Sequence, residues 1–401
     1  MDSFETPQPP PPAAAATSAV LNDDDLLGEI LLRVAFPTCL ICAALVCKRW
    51  LRLASDPVFL RRFRDLHPPS LLGFYVCTTG SKPPFFVPMP QPPELAGVVR
   101  RANFDLGTLG SDSPPRLRYV DCWNDLLLLT SFVDTNEPKQ IVRCPLYPAR
   151  CTTILPPDPE TCLLQDGFTY YEHATILNGG GDGLSFIYLA LGSKGQQTVV
   201  RVYALRDDIW AIYFSIVTEI SELSLQFPSL IGDGKIYNLA AVSEIVEKLF
   251  MLDLVSLSSS LVNLPEEVSM WHGMLSHADD SGVHLTHVKD FQIRIWLHRI
   301  DGNGVTNWFL VNTICLREIF GNHMMPIHTF EESDDYFFGV HAVIGFNSEF
   351  VFIETVDSVL YLLDIKSKAL KKVYEITKED ECLYSVSPFM MIWPPKFPVM
   401  N

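Results

Sequence analysis

The sequence predicts a mainly β protein, in which a small N-terminal all-α unit precedes a β-propeller of about six or seven blades. Three observations lead there. Helical periodicity is concentrated in one compact stretch, Leu21 to Phe63, LNDDDLLGEILLRVAFPTCLICAALVCKRWLRLASDPVFLRRF. From Leu71 onward, short apolar runs alternate with Gly, Asp, Asn and Pro. Among those runs a unit of strand, Asp, a few polar residues and second strand returns about every 50–60 residues, close to the length of one four-stranded blade. The expected division is a disordered Pro/Ala-rich tail over residues 1–18, a helical unit over 19–67 and the propeller over 68–399.

Each helix carries its own signals. Asp23, Asp24 and Asp25 offer acceptors to the free N–H groups of a first helix and suit its positive end. Leu26, Leu27, Ile30, Leu31 and Val34 then form an apolar stripe of helical period. Pro37 ends this segment by pushing residue 36 out of the α region. Thr38 is expected to cap a second helix, Cys39 to Cys47, whose apolar positions nearly encircle it. Asp56-Pro57 opens a last helix with Phe59, Phe63 and Leu66 along one side. A unit of about 40 residues rarely stands alone. Apolar residues beyond what it can bury therefore point to a partner surface.

The β half reads strand by strand: Leu71–Val76, Asp125–Thr130, Phe186–Leu191, Val199–Leu205, Lys235–Leu239, Leu249–Leu254, Ile293–His298, Trp308–Val311, Phe350–Glu354 and Val359–Ile365. Helical pattern is scarce here, with Leu316–Phe320 and Ser243–Glu247 as the exceptions. The repeat is plainest in Leu249–Ser256 leading to Leu261–Pro265, and in Val359–Ser367 leading to Leu370–Tyr374. Further copies begin at Val142, Val202 and Ile295. A ring of such blades buries each face against a neighbour and removes free sheet edges.

Bulk properties exclude several classes. A net charge of −17 over 401 residues disfavours nucleic-acid phosphate as a partner, since phosphate contact needs a cationic face. No apolar run reaches the ~18 residues that span a bilayer. The N-terminus, MDSFETPQPPPPAAAATS, lacks the basic and apolar regions of a secretory signal. Ten cysteines without paired spacing fit reduced thiols used as small hydrophobes. The expected location is cytoplasmic, nuclear or both.

Candidate chemistry is sparse. Cys39, Cys42 and Cys47 contain a C-x-x-C, but no second pair follows at zinc spacing. His272, His277, His284, His287 and His298 are dense, yet His284 and His287 on one strand would point to opposite faces. Gly179–Gly183 lacks the Lys-Ser/Thr and helix of a phosphate cradle. Glu331–Asp335 reads as a solvated acidic loop. Asp121, Asp253 and Asp364 sit at strand ends, where turn formation explains them better than catalysis. Catalytic residues, cofactor and metal are each expected to be none.

The helical stretch resembles an F-box. The resemblance is carried by Leu26-Leu27-Gly28-Glu29-Ile30-Leu31-Leu32-Arg33, Pro37, Leu45-Val46-Cys47-Lys48-Arg49-Trp50 and Ser55-Asp56-Pro57-Val58-Phe59. It departs from the usual Leu-Pro start, which is here Leu21-Asn22 with an extra acidic residue before Leu26. The resemblance implies binding to the adaptor Skp1 and, through it, to the cullin of a RING ubiquitin ligase. It assigns the Skp1 contact to Leu26, Leu27, Ile30, Leu31, Leu45, Val46, Cys47 and Trp50, with Leu31 and Trp50 as leading anchors.

Residues 70–399 resemble the β-propeller that follows the F-box in a large plant family, in its grass-type form. Leu71–Tyr75, Val120–Leu129, Ile295–Gly304 and Met390–Pro395 carry that similarity. The pair of resemblances implies a non-catalytic substrate-recognition adaptor of an SCF-type (Skp1–cullin–F-box) ligase, whose propeller loops select an unknown target protein. The alternatives are a propeller enzyme of glycan-hydrolase type, an F-box protein working outside an active ligase, and a plain helical cap on the larger domain.

Overall fold

In the computed structural model the described residues are Thr17 and 20–397, without 80–81, 107–115, 124–125, 133–137, 147–150, 155–168, 178–185, 207–208, 221–222, 233, 243–246, 267, 269–272, 279–281, 290, 301–305, 322–339, 346–348, 356–357 and 392–396. The Gly179–Gly183 and Glu331–Asp335 loops, the 1–16 part of the tail and His272 lie outside them.

Four helices run between Asp24 and Leu66: α1 (Asp24–Leu32), α2 (Pro37–Ala44), α3 (Lys48–Ala54) and α4 (Pro57–Leu66). Asp23 caps α1, its side chain accepting from the N–H groups of Asp25 at 2.9 Å and Leu26 at 3.0 Å. Asp56 does the same for α4, accepting from Val58 at 2.9 Å and Phe59 at 3.0 Å. The second helix differs from the expected Cys39–Cys47. Pro37 itself occupies its first turn and Phe36 is the extended residue before it, with no side-chain cap from Thr38. The helix stops at Ala44, Leu45 closes it, and Cys47 is extended before α3 begins. Proline at a first turn needs no N–H donor, so Pro37 starts this helix, whereas α1 has already ended at Leu32 with Arg33 as its C-cap and not at Pro37 as expected.

Beyond Ser70 the chain forms six antiparallel sheets among the described residues. β1 (Leu71–Thr78) and β2 (Phe85–Pro88) are followed by helix α5 (Pro93–Arg101). The first four-stranded sheet holds β3 (Arg116–Trp123), β4 (Leu126–Phe132), β5 (Pro138–Arg143) and β6 (Cys151–Ile154). The second holds β7 (Thr169–Leu177), β8 (Phe186–Lys194), β9 (Gln197–Arg206) and β10 (Ile209–Thr218). The third holds β11 (Leu223–Gly232), β12 (Lys235–Val242), β13 (Glu247–Asp253) and β14 (Ser258–Asn263). The fourth holds β15 (Gly273–His277), β16 (Val283–Lys289), β17 (Gln292–Ile300) and β18 (Thr306–Cys315), and leads to helix α6 (Leu316–Phe320). The fifth holds β19 (Val340–Gly345), β20 (Phe350–Thr355), β21 (Val359–Asp364) and β22 (Leu370–Glu375). The last strand, β23 (Leu383–Met390), returns to β1 and completes a three-stranded sheet of order β2-β1-β23.

The sheets are the blades of a propeller. Each four-stranded sheet is a meander, and the five repeat copies legible in the sequence are the hairpins of its third and fourth strands. The inner strands neighbour one another: β23 lies beside β3, β7 beside β11, β11 beside β15, and β15 beside β19. Apolar clusters fill the spaces between blades. Ile187, Val200 and Val202 meet Ile236, Phe250 and Leu252 between the second and third sheets. Ile293 and Ile295 meet Val351 and Ile353 between the fourth and fifth, and Phe74 and Val76 meet Phe352 and Leu360 at the closing sheet. Ser243–Glu247 is not helical as far as it is described, because Glu247 already pairs with Ala241 across β12 and β13. Helix α5 escaped the sequence pattern in a proline-rich stretch, yet Pro93 starts it and Leu95 is fully buried in the closing-blade cluster.

Gly73 is required where it stands. A Cβ there would lie 2.2 Å from Cζ of Phe86 and 2.6 Å from the carbonyl oxygen of Val87. The second clash is with backbone, so β1 and β2 would have to separate. Gly73→Ala is expected to cost about 1–3 kcal/mol, read as a lower denaturation midpoint with unchanged slope. A neutral result would mean that this pairing is loose in solution.

Candidate functional site

The helical unit has a core of its own. Leu27, Leu31, Leu32, Leu40, Ala44, Ala54 and Phe63 are buried together, with Trp50, Leu51 and Phe59 packed against them. Two polar ties hold its helices in place. Arg49 of α3 pairs with Asp24 of α1 at 2.6 Å and donates to the carbonyl of Leu21 at 2.6 Å. Arg62 of α4 reaches Glu29 of α1 at 2.7 Å. Such exposed pairs contribute at most about 1 kcal/mol each, so they orient helices that the apolar core stabilises.

Part of what remains outside is apolar. Leu26 is 47% exposed, Ile30 40%, Leu45 50% and Val46 64%. Leu26 and Ile30 lie one turn apart on the same side of α1. Leu45 and Val46 occupy the turn before α3, and the Arg49–Asp24 pair brings the start of that helix beside the first turn of α1. Cys47 is exposed and Trp50 half-buried. Of the eight residues expected to touch a partner, Leu27 at 0% and Leu31 at 1% exposure do not face outward. Both point into the helical core, beneath the exposed residues. A 3.6-residue period marks the apolar stripe of α1 but does not tell its buried edge from its open one.

Two of the other candidate residues build turns. Asp253 Oδ1 accepts from the N–H groups of Val255 at 2.9 Å and Ser256 at 2.8 Å. Asp364 Oδ1 accepts from the Ser367 N–H at 2.6 Å and its hydroxyl at 2.7 Å. Four residues after each aspartate the chain turns left-handed, at Leu257 with φ 53° and Lys368 with φ 57°. The two aspartates therefore build one recurring turn. The side chain of Asp121 lies outside the described residues. His287 and His298 are buried, and burial lowers the pKa of His298, whose ring sits 4.9 Å from Trp308. Cys39, Cys42, Cys47, Cys315 and Cys382 carry free thiols, and among the described residues no group of three or more His, Cys, Asp and Glu could hold a metal ion. No described helix is long and apolar enough to cross a membrane.

One buried carboxylate gave no sequence signal, because it lies in the charged run Lys378-Glu379-Asp380-Glu381. Asp380 is fully buried and accepts from the Tyr374 hydroxyl, the Thr377 N–H and the Thr377 hydroxyl, each at 2.8 Å. Lys82, between β1 and β2, donates to it at 3.2 Å, and the Thr79 N–H donates to the Cys382 carbonyl at 2.9 Å. These contacts clasp the two ends of the propeller sequence. Burial alone would raise the pKa of Asp380, but its donors outweigh that and hold it at about 2. Asp253 is likewise lowered to about 2, first by its hydrogen bond from Lys235 and then by the turn N–H groups. Both folded values lie below the ordinary value near 3.9. Their stabilisation is therefore complete above about pH 4 and is lost as pH falls from about 4 to 2. Thermal unfolding across that window is expected to show a falling midpoint, with a shallower fall in Asp380→Asn. Parallel curves for the two proteins would remove Asp380 as a cause.

Two family models match the chain. The F-box domain matches residues 23–62, and the propeller described as "F-box protein AT5G49610-like, beta-propeller" matches residues 118–397. The chain belongs to the AT5G49610-like family of F-box proteins. No curated protein matches it. Solved structures resemble this F-box protein only distantly. Oligopeptidase B from Trypanosoma brucei is 10% identical with a TM-score of 0.31, covering 67% of this chain and 34% of its own. A Bacteroides thetaiotaomicron protein of unknown function is 12% identical with a TM-score of 0.35, covering 65% and 58%. A Lactobacillus plantarum protein is 11% identical with a TM-score of 0.39, covering 76% and 81%. The chain thus spans about a third and rather more than half of the first two. The F-box match encloses α1, α2, α3 and most of α4, together with the exposed apolar residues.

Proposed function

We propose that this F-box protein is the substrate-recognition adaptor of an SCF-type ubiquitin ligase, with the helical unit docked on Skp1 and the propeller holding the target protein. The observation that carries the reading is the open apolar surface of Leu26, Ile30, Leu45 and Val46 on a unit whose own core is already filled. The half-buried Trp50 and exposed Cys47 border it on the α3 side. Apolar side chains left in water carry a cost that a protein partner removes, at about 25 cal/mol per Å² of apolar surface covered. The chain's part in catalysis is positional. Holding a target lysine near an enzyme-bound ubiquitin raises the effective concentration of the transfer, and no group of this chain enters the reaction. The corresponding location is the cytoplasm, the nucleus or both.

Mixing the purified full chain with recombinant Skp1 and a cullin tests the reading. Comigration of all three in size-exclusion chromatography is the expected result. A chain that elutes alone at micromolar concentrations would overturn it.

A further inference from the structure

We propose that the helical unit and the propeller form one rigid body, locked by an exchange of phenylalanines: Phe36 packs into the core of the closing blade, and Phe397 packs into the core of the helices. Phe36 leaves the helical unit because Pro37 forces it extended, with φ −141° and ψ 150°. It lies against the cluster of Leu72, Tyr75, Leu95, Phe389 and Met391. Phe397 lies against the cluster of Leu27, Leu31, Leu40 and Phe63. Each half therefore contributes a ring to the other's apolar core.

The topology explains why the exchange occurs at this place. β23 runs antiparallel to β1, with Leu71 opposite Met390 and the Met391 N–H donating to the Ser70 carbonyl at 2.8 Å. The chain thus leaves its last strand where the helices enter the first, and Phe397 follows six residues after Met391. The covalent link is short and stiff as well. His67 ends α4, its ring nitrogen bonded to the Leu32 carbonyl at 2.8 Å and its ring 4.6 Å from Phe63. Pro68 and Pro69 then restrict the backbone up to β1. A stiff link, a strand-end hydrogen bond and two crossed apolar contacts leave little freedom for a hinge. Phe36 and Phe397 are positioning residues. Their consequence for ubiquitin transfer, a constant bearing between adaptor and target, rests on the adaptor reading, whereas the locking itself does not.

Backbone ¹⁵N relaxation of the full-length chain provides the test, without any partner. The amides of α1–α4 are expected to share one rotational correlation time with those of the blades. In the Phe36→Ala, Phe397→Ala double variant the helical value is expected to fall by roughly half while the helical shifts persist. Phe36→Leu with Phe397→Leu is expected to restore the shared value. A mere loss of stability would not speed the tumbling of helices that stay folded. Should the double alanine chain lose its helical signals, the single Phe397→Ala chain carries the measurement. Helices that already tumble faster than the blades in the native chain overturn the inference, and so does an unchanged correlation time in the variant that keeps its helices. Failure to bind Skp1 would remove the adaptor reading and leave this measurement standing.

Discussion

A chain carrying Leu45→Asp and Val46→Asp is expected to keep its fold and lose its hold on Skp1. Both side chains are at least half exposed, and neither belongs to the buried helical core, so their removal leaves no cavity. Aspartate at these sites would place charge where the partner's apolar surface must close. Anchors of this kind contribute about 2 kcal/mol or more each. The pair together therefore weakens Kd by roughly three decades. Isothermal titration with recombinant Skp1 measures the loss, and circular dichroism and thermal unfolding show whether the fold is kept. Leu31→Ala is the instructive contrast. Its side chain is sealed within the helical core, so truncation is expected to destabilise the unit by about 2–5 kcal/mol and to weaken Skp1 binding only by unfolding the shelf. An unaltered Kd in the double aspartate chain would refute the proposed surface.

Phe389→Ala is expected to produce the largest loss of stability in the propeller, about 3–5 kcal/mol. Phe389 lies on β23, the strand that returns the end of the chain to β1, and it is fully buried. Its ring meets Phe104 edge-on at 5.4 Å and Phe86 at 6.5 Å, while those two stack at 3.9 Å. Removing it opens a void in the cluster that joins the closing blade to the first four-stranded sheet. The inner strand of that blade would lose its side-chain anchor, and ring closure would then rest on the β1–β23 ladder and the Asp380 clasp. Urea unfolding followed by tryptophan fluorescence measures the change. Exposed Lys371→Ala serves as a control that should stay within about 0.5 kcal/mol. A loss below about 1 kcal/mol for Phe389→Ala would mean that the ring is not closed through this strand.

Much of the architecture was legible because it is local. The Asp23 and Asp56 caps and the alternation of short strands with turn residues depend on neighbours a few positions away. The repeat was legible for the same reason: Asp253 and Asp364 bond to N–H groups two or three residues on, so their turns recur as sequence. The blade count was less so, because the closing blade draws β1, β2 and β23 from opposite ends and carries no copy of the hairpin. Helix α2 was drawn too long, since an all-apolar run does not show where the backbone turns between Ala44 and Lys48.

The sequence by itself determined the two-part plan, the chemistry of its caps and turns, and the apolar character of the N-terminal unit. Tertiary structure decided which of those apolar residues stay open: Leu27 and Leu31 turn inward, Leu26 and Ile30 outward, although all four belong to one stripe. It also decided that Gly73 must lack a side chain, that Asp380 is buried, and that Phe36 and Phe397 change places between two cores. The physical reason is common to all of these. Burial and close approach depend on what distant segments bring to the same point, and local periodicity carries no record of that.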